Sequence, residues 1–190
     1  MYETSMAETP SVMLPLGTAL PDFSLVNAVD GTTWTSASAA GKKGALVMFI
    51  CNHCPFVVHV RSKMVEVAHE ALDKGLAVFA INSNSVVSHP QDGPAHMKEL
   101  ALREHWRFPF LFDETQDVAR AFDAACTPDF FVFDTRQRLA YRGQLDDSRP
   151  RNGKPVTGAD LRAAIDAVAT GRTPAADQKP SIGCNIKWNR

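Results

Sequence analysis

Two continuous apolar runs, residues 45–50 (ALVMFI) and 76–81 (LAVFAI), are of strand length and each follows a glycine. Each predicts a strand buried on both faces. Between them Phe56, Val60, Met64, Val67 and Ala71 recur at three- and four-residue spacing, one face of an amphipathic helix that ends near Gly75. Strand, helix and strand in that order predict a β-α-β unit with a right-handed crossover. Upstream, PDFSLVNAVDGTTWTS alternates apolar and polar residues around Asp30-Gly31 and predicts a hairpin. Downstream, a polar segment with Pro90, Gly93 and Pro94 leads to a helix over 95–105 and a short one over 114–122. DFFVF (129–133) and LAYR (139–142) predict a second hairpin through residues 134–138. Thr157-Gly158-Ala159-Asp160 has the form of a capping box opening a helix that runs to about Ala169, with Gly171 beyond its end.

This order predicts an α/β domain over 16–171 with a mixed sheet, its first half parallel and its second antiparallel. Residues 1–15 form an N-terminal extension, and 172–190 a Pro-rich tail packed on the same domain. There is no internal repeat. A chain of 190 residues has the size of one domain, and 45% hydrophobic with 22% charged residues suits a globular core. The net charge of −1, with no basic block, argues against nucleic acid or an anionic membrane as partner. No apolar run approaches the ~18 residues that span a bilayer. The opening MYETSMAETPSVMLPLG lacks the basic and apolar regions of a secretory signal, and Met6 offers a second start. Four cysteines are too few for a disulfide scaffold. A cytoplasmic address is expected, with the cysteines serving catalysis or metal binding.

The chemistry concentrates in FICNHCPFV, residues 49–57. A buried strand ends at Ile50 and a helix starts within a few residues, so Cys51 and Cys54 flank a helix N-terminus. Free N–H groups and the helix dipole there favour the thiolate, which is the reactive form. Cysteines three positions apart can close a small disulfide, and His53 between them, when protonated, would favour the anion further. Proline is preferred at the first helical position, so Pro55 makes Cys54 the helix N-cap.

These residues resemble the thioredoxin superfamily, in its peroxiredoxin-like branch (the redoxin or alkyl-hydroperoxide-reductase/thiol-specific-antioxidant type). Pro21-Asp22-Phe23-Ser24-Leu25 resembles that branch's PDF-x-L strand, and Thr127-Pro128-Asp129-Phe130-Phe131 resembles the loop that enters the second half of the sheet. The PSIGCNIKW tail is similar to tails in a thioredoxin-like subgroup. The resemblance implies a thioredoxin-like fold with an N-terminal β-hairpin and a thiol–disulfide oxidoreductase with an antioxidant or redox-homeostasis role. It implies no cofactor, a protein or small-molecule disulfide as substrate, and a thiol electron donor such as a thioredoxin or glutathione system. It further implies a cis Pro128 packed on the active-site sulfurs, and a Thr127 backbone that pairs with an extended partner chain.

The family count runs five positions from the strand aromatic to the first motif cysteine. From Phe49 it reaches Cys54, and the usual second cysteine falls on Val57. Cys54 is then the nucleophile and Cys51 an upstream partner, with Asn52 and His53 between them in support. The other register makes Cys51 the nucleophile, with His53 acting like the histidine of strong disulfide oxidants. A peroxiredoxin would carry threonine where Cys51 stands, and a thioredoxin a buried aspartate where Met48 stands. A hydroperoxide-reducing peroxidase is therefore the second reading. A copper or other metal carrier, using the cysteines with His59 or His89, is the third. Cys126 and Cys184 are candidate auxiliary or resolving thiols, with Cys184 able to fold back onto Cys126 or Cys54. His69, His96 and His105 fall in predicted helices, Trp106 and Trp188 read as packing residues, and Arg142, Asp146, Asp147 and Arg149 as a solvated loop.

Overall fold

The computed structural model describes residues 8–190, so Met6 lies outside the described residues. The chain forms β1 (Glu8–Pro10), β2 (Ser24–Asn27), β3 (Thr33–Thr35), β4 (Ala45–Phe49), α1 (Pro55–Asp73), β5 (Ala77–Asn82), α2 (Pro94–Arg103) and β6 (Phe110–Phe112). It continues through α3 (Asp117–Ala121), β7 (Cys126–Thr127), β8 (Asp129–Phe133), β9 (Leu139–Gly143), α4 (Ala159–Ala169) and β10 (Ile182–Asn185).

Seven strands form the central sheet in the order β3-β2-β6-β5-β4-β8-β9. The parallel pairs are β4 with β5 and β5 with β6; the pairs β4–β8, β8–β9, β2–β3 and β2–β6 are antiparallel. The mixed sheet and the β2–β3 hairpin are those the sequence implies, and the architecture is thioredoxin-like. Both apolar runs are central strands with every residue buried. Their pleat divides the core. Leu46 and Met48 face α1, α2 and α4, whereas Val47 and Phe49 face Phe79, Phe122 and the residues of α3. Phe49 and Phe122 meet edge to face at 5.2 Å, a favoured ring geometry.

A second sheet, β1-β10-β7, joins both ends of the described chain to the residues before Pro128. Ile182–Asn185 reads from sequence only as part of a tail, and no periodicity marks it as a strand; partners on both sides make it one. β6 is a strand of three residues, too short for a period to show.

Four other expectations change. Thr157 does not cap α4: Gly158 occupies the cap with a φ of 71°, and the buried Asp146 accepts from the Thr157 and Gly158 N–H groups at 2.6 and 2.7 Å. The charged run after β9 is thus partly a buried brace, in which Arg149 also donates to Gln144 Oε1. His105 lies in the turn past α2 with a φ of 55°, outside the helix. Trp188 is 40% exposed with the Arg120 guanidinium over its ring, whereas Trp106 packs on Phe108 and Phe110 as expected.

Candidate active site

β4 ends at Phe49 and Pro55 opens α1, so the five residues Ile50, Cys51, Asn52, His53 and Cys54 form the tight connection at the sheet's C-terminal edge. Cys54 is the N-cap of α1 and Pro55 its first residue, the arrangement the family count from Phe49 implies. The Cys54 sulfur makes no aligned capping bond, yet it faces the Val57 N–H, which favours its anion. Cys51 and Cys54 are 1% and 0% exposed, so neither is presented at the surface.

Thr127-Pro128 is cis, as the resemblance implies, and it brings Thr127 against both sulfurs. The Thr127 hydroxyl lies 3.5 Å from Cys51 Sγ and its carbonyl oxygen 3.3 Å from Cys54 Sγ. The closest neighbour comes from the tail: Cys184 Sγ is 2.8 Å from Cys54 Sγ. All four cysteines are free thiols. Cys54 is therefore flanked by Cys184 on one side and Cys51 on the other.

The electrostatics follow from this order. Hydrogen bonds from Cys184 and then Cys51 hold the Cys54 thiol down at about 2, against the opposing effect of burial. Both flanking thiols shift up, each first because it donates to Cys54 and then because it is buried; the nearby Asp92 carboxylate adds to the rise at Cys51. Of the three sulfurs, Cys54 is the one whose anion its surroundings favour, while Thr127 O at 3.3 Å is the acceptor its S–H meets when protonated.

His53 turns away from this pair. Its Nδ1 lies 2.7 Å from Asp92 Oδ2, off the line of a well-formed hydrogen bond, and its ring stacks on His89 at 5.2 Å. Asp92, wholly buried, accepts from the Asn52 N–H at 3.0 Å and from Asn84 Nδ2 at 2.9 Å. Burial pushes its carboxyl up, but the His53 ring beside it and the Asn84 amide bond outweigh that and hold it below its ordinary value. Asn52 also donates its side-chain amide to Gln91 O, so the motif loop is fastened to the single helical turn Pro90–Asp92. Sequence reasoning passes over Asp92 and Asn84. Nothing in their spacing marks them, because only the tertiary fold carries them to the motif.

Cys126 is not part of the sulfur cluster. Thr127 faces Cys51 and Cys54, while Cys126, one residue away on the strand, is set among Ser11 and Asp129, and burial raises its thiol. Asp129 is wholly buried, with Oδ1 accepting from Ser11 Oγ at 2.8 Å and Oδ2 unpartnered; burial pushes its carboxyl up to about 7. Of the histidines weighed for a metal, His59 Nε2 is 2.8 Å from Ser148 Oγ, and His89, stacked on His53, has Nδ1 2.9 Å from Ser88 Oγ.

Among the described residues one set of three donors, Cys51, His53 and Asp92, converges within 4.8 Å. His53 Nδ1 and Asp92 Oδ2 are 2.7 Å apart, in direct contact. Two atoms bound tetrahedrally to one zinc at about 2.0–2.1 Å would stand about 3.3 Å apart. No helix among the described residues is long and apolar enough to cross a membrane.

The whole chain has close structural relatives. An uncharacterized conserved protein from Geobacillus kaustophilus is 50% identical, with a TM-score of 0.94 over 97% of this chain and 98% of that one. A hypothetical protein from Sinorhizobium meliloti is 48% identical, with a TM-score of 0.92 over 95% and 98% of the two chains. The thioredoxin domain of a thiol-disulfide oxidoreductase from Bacteroides vulgatus shares the fold at 15% identity, with a TM-score of 0.61 over 80% and 96%. No curated protein matches the sequence. The sequence model of the Redoxin family matches residues 15–161, which takes in the cysteine motif and the Thr127-Pro128 loop but stops short of β10. The chain belongs to the Redoxin family.

Proposed function

We propose that the protein is a thiol–disulfide oxidoreductase in which Cys54 is the attacking thiolate and Cys51 its partner in the motif. The observation that carries this reading is the position of Cys54 Sγ: at the N-terminus of α1, with the Cys184 sulfur 2.8 Å away. Helix N–H groups and neighbouring S–H groups stabilise the anion without a cationic side chain. The Cys54 thiolate attacks a disulfide sulfur of a protein or small molecule and expels the first half as a thiolate. A neighbouring thiol then attacks Cys54 and expels the second half, leaving an intramolecular disulfide. A thiol donor of the thioredoxin or glutathione kind restores the reduced protein, in a redox-homeostasis role in the cytoplasm.

The test is alkylation of the reduced protein with iodoacetamide across pH, read by peptide mass. Labelling should fall on Cys54 at a rate nearly flat down to about pH 5. A rate that rises only towards the ordinary cysteine value of about 8.5 would sink the reading.

The complete burial of both motif sulfurs favours a second reading, in which the oxidant is a small hydroperoxide. Cys54 would attack the peroxide oxygen, release an alcohol or water and become a sulfenic acid, which a second thiol condenses with as water leaves. Stoichiometric reduced protein that leaves hydrogen peroxide unconsumed would remove it.

A further inference from the structure

We propose that β10 is a built-in substrate strand, and that its Cys184 rather than Cys51 closes the disulfide on Cys54. The inference rests on the reading of Cys54 as nucleophile and identifies the thiol that completes the reaction.

The first support is the pairing of β7. The resemblance leads one to expect the Thr127 backbone to be free for an incoming chain. It is already paired antiparallel with the protein's own tail, Cys184 opposite Thr127 and Asn185 opposite Cys126. A strand laid beside Thr127 with a cysteine aimed at the helix N-cap is the posture of a bound substrate, here made by residues of the same chain. The second support is anchoring. β1 pairs on the other edge of β10, Ser11 Oγ accepts from the Ser181 N–H, Ser181 Oγ donates to the Pro128 carbonyl, and Lys187 N–H donates to Asn84 Oδ1. Cys184 is thereby held against Cys54, as a resolving group must be.

The third support separates the two candidate thiols. Once Cys54 is capped as a mixed disulfide, the thiolate that keeps both neighbours protonated is gone. Cys184 then faces the Phe56 N–H at the start of α1 and the charge of Lys187, both of which favour its anion. Cys51 remains enclosed beside the Asp92 carboxylate, which opposes ionisation. Capping Cys54 thus removes the chief restraint on Cys184, whose remaining neighbours at Lys187 and the start of α1 work against its burial. Cys184 loses its proton to the departing thiolate, its sulfur bonds to Cys54 Sγ, and the Cys54–substrate bond breaks. One disulfide has been reduced to two thiols, and Cys54 and Cys184 have lost one electron each. Cys51 stays a thiol throughout and serves to donate to Cys54.

The full-length reduced protein, treated with one equivalent of glutathione disulfide, quenched with N-ethylmaleimide and digested with trypsin without reduction, distinguishes the bridges. Cys51 and Cys54 share the peptide 44–61, while Cys184 lies in 173–187. A Cys54–Cys184 bridge joins the two peptides. A Cys51–Cys54 bridge leaves 44–61 alone and lighter by two hydrogens, and as the main product in wild type it overturns the proposal. This measurement needs no variant. In Cys184→Ser the glutathione adduct on Cys54 should persist at least tenfold longer than in wild type, whereas resolution at the wild-type rate also overturns the proposal. Absence of any Cys54 adduct, transient or trapped, in both proteins would overturn the attack by Cys54 itself and both readings with it.

Discussion

Gly183 lies so close to Thr127 that a β-carbon on it would stand 1.9 Å from the Thr127 carbonyl oxygen and 2.6 Å from the carbonyl carbon. This contact seats β10 on β7, and backbone atoms cannot swing aside as the end of a side chain can. Gly183→Ala should therefore cost at the top of the ~1–3 kcal/mol range for overpacking. For a chain of this size that lowers the melting temperature by roughly 6–10 °C. Iodoacetamide labelling of Cys54 at pH 5 should also slow, because Cys184 is pushed out of donating reach. A thermal melt and a labelling rate both matching wild type would show that the two strands are not held at this point.

On the proposed reading, Cys51 is the second neighbour, after Cys184, that lowers the Cys54 thiol. A hydrogen bond to a charged group is worth about 1.5–3 kcal/mol, equivalent to one or two pKa units. Cys51→Ala should move the midpoint of the Cys54 alkylation profile upward by about that much while the oxidised protein still forms a bridge. Loss of the bridge would return Cys51 to the role of resolving thiol.

Asp129 gives stability a pH dependence of defined sign. Burial raises its folded value from 3.8 to about 7, so between these values the unfolded chain has released a proton that the folded chain retains. Stability from this group is present below about pH 4 and declines as pH rises to about 7, by roughly 4 kcal/mol, then levels off. Asp129→Asn keeps a carbonyl acceptor for Ser11 Oγ and removes the titration. Urea titrations at pH 4.5 and 7.5 should show the wild type losing ground to this variant as pH rises; a constant difference would refute the assignment.

Asp92 fastens the motif loop. Asp92→Asn removes the charge opposite His53 and puts an amide donor where donors converge, so a loss of about 1–3 kcal/mol is expected in denaturant. Removing that carboxylate also lowers the Cys51 thiol, since Asp92 is among the groups that raise it. Alkylation of Cys51 at pH 8 should be faster than in wild type, a change that loosening of the loop alone would not confine to one pH range.

The sheet was legible because its strongest elements carry local signals. Residues 45–50 and 76–81 can hardly be anything but buried strands, and the spacing from Phe56 to Ala71 marks α1. Cys54 as helix cap followed from Pro55 together with the family count from Phe49, since a proline near the third helical position would also cost no intrahelical bond. The remainder of the site was hidden for one physical reason: its parts meet only through closure of the chain. Asp92 reaches Asn52 and His53 from a polar segment without a period. β10 has partners on both edges, and those partners, not its composition, make it a strand. Cys184 could be named as a candidate thiol from the tail motif, but its place beside Cys54 depends on a strand that no local pattern announces.

The same closure sets a schedule for the nascent protein. Cys184 is 130 residues beyond Cys54, so at about 5–20 residues per second the ribosome holds the motif for roughly 6–26 s before its tail partner exists. During that time Cys54 has the start of a helix and Cys51, but not its nearest sulfur donor. Its full acidity arrives only when β10 slots between β1 and β7, a long-range step that completes the small sheet. On the proposed reading, a half-made chain carries a muted cysteine, and its reactivity is switched on by the finished fold.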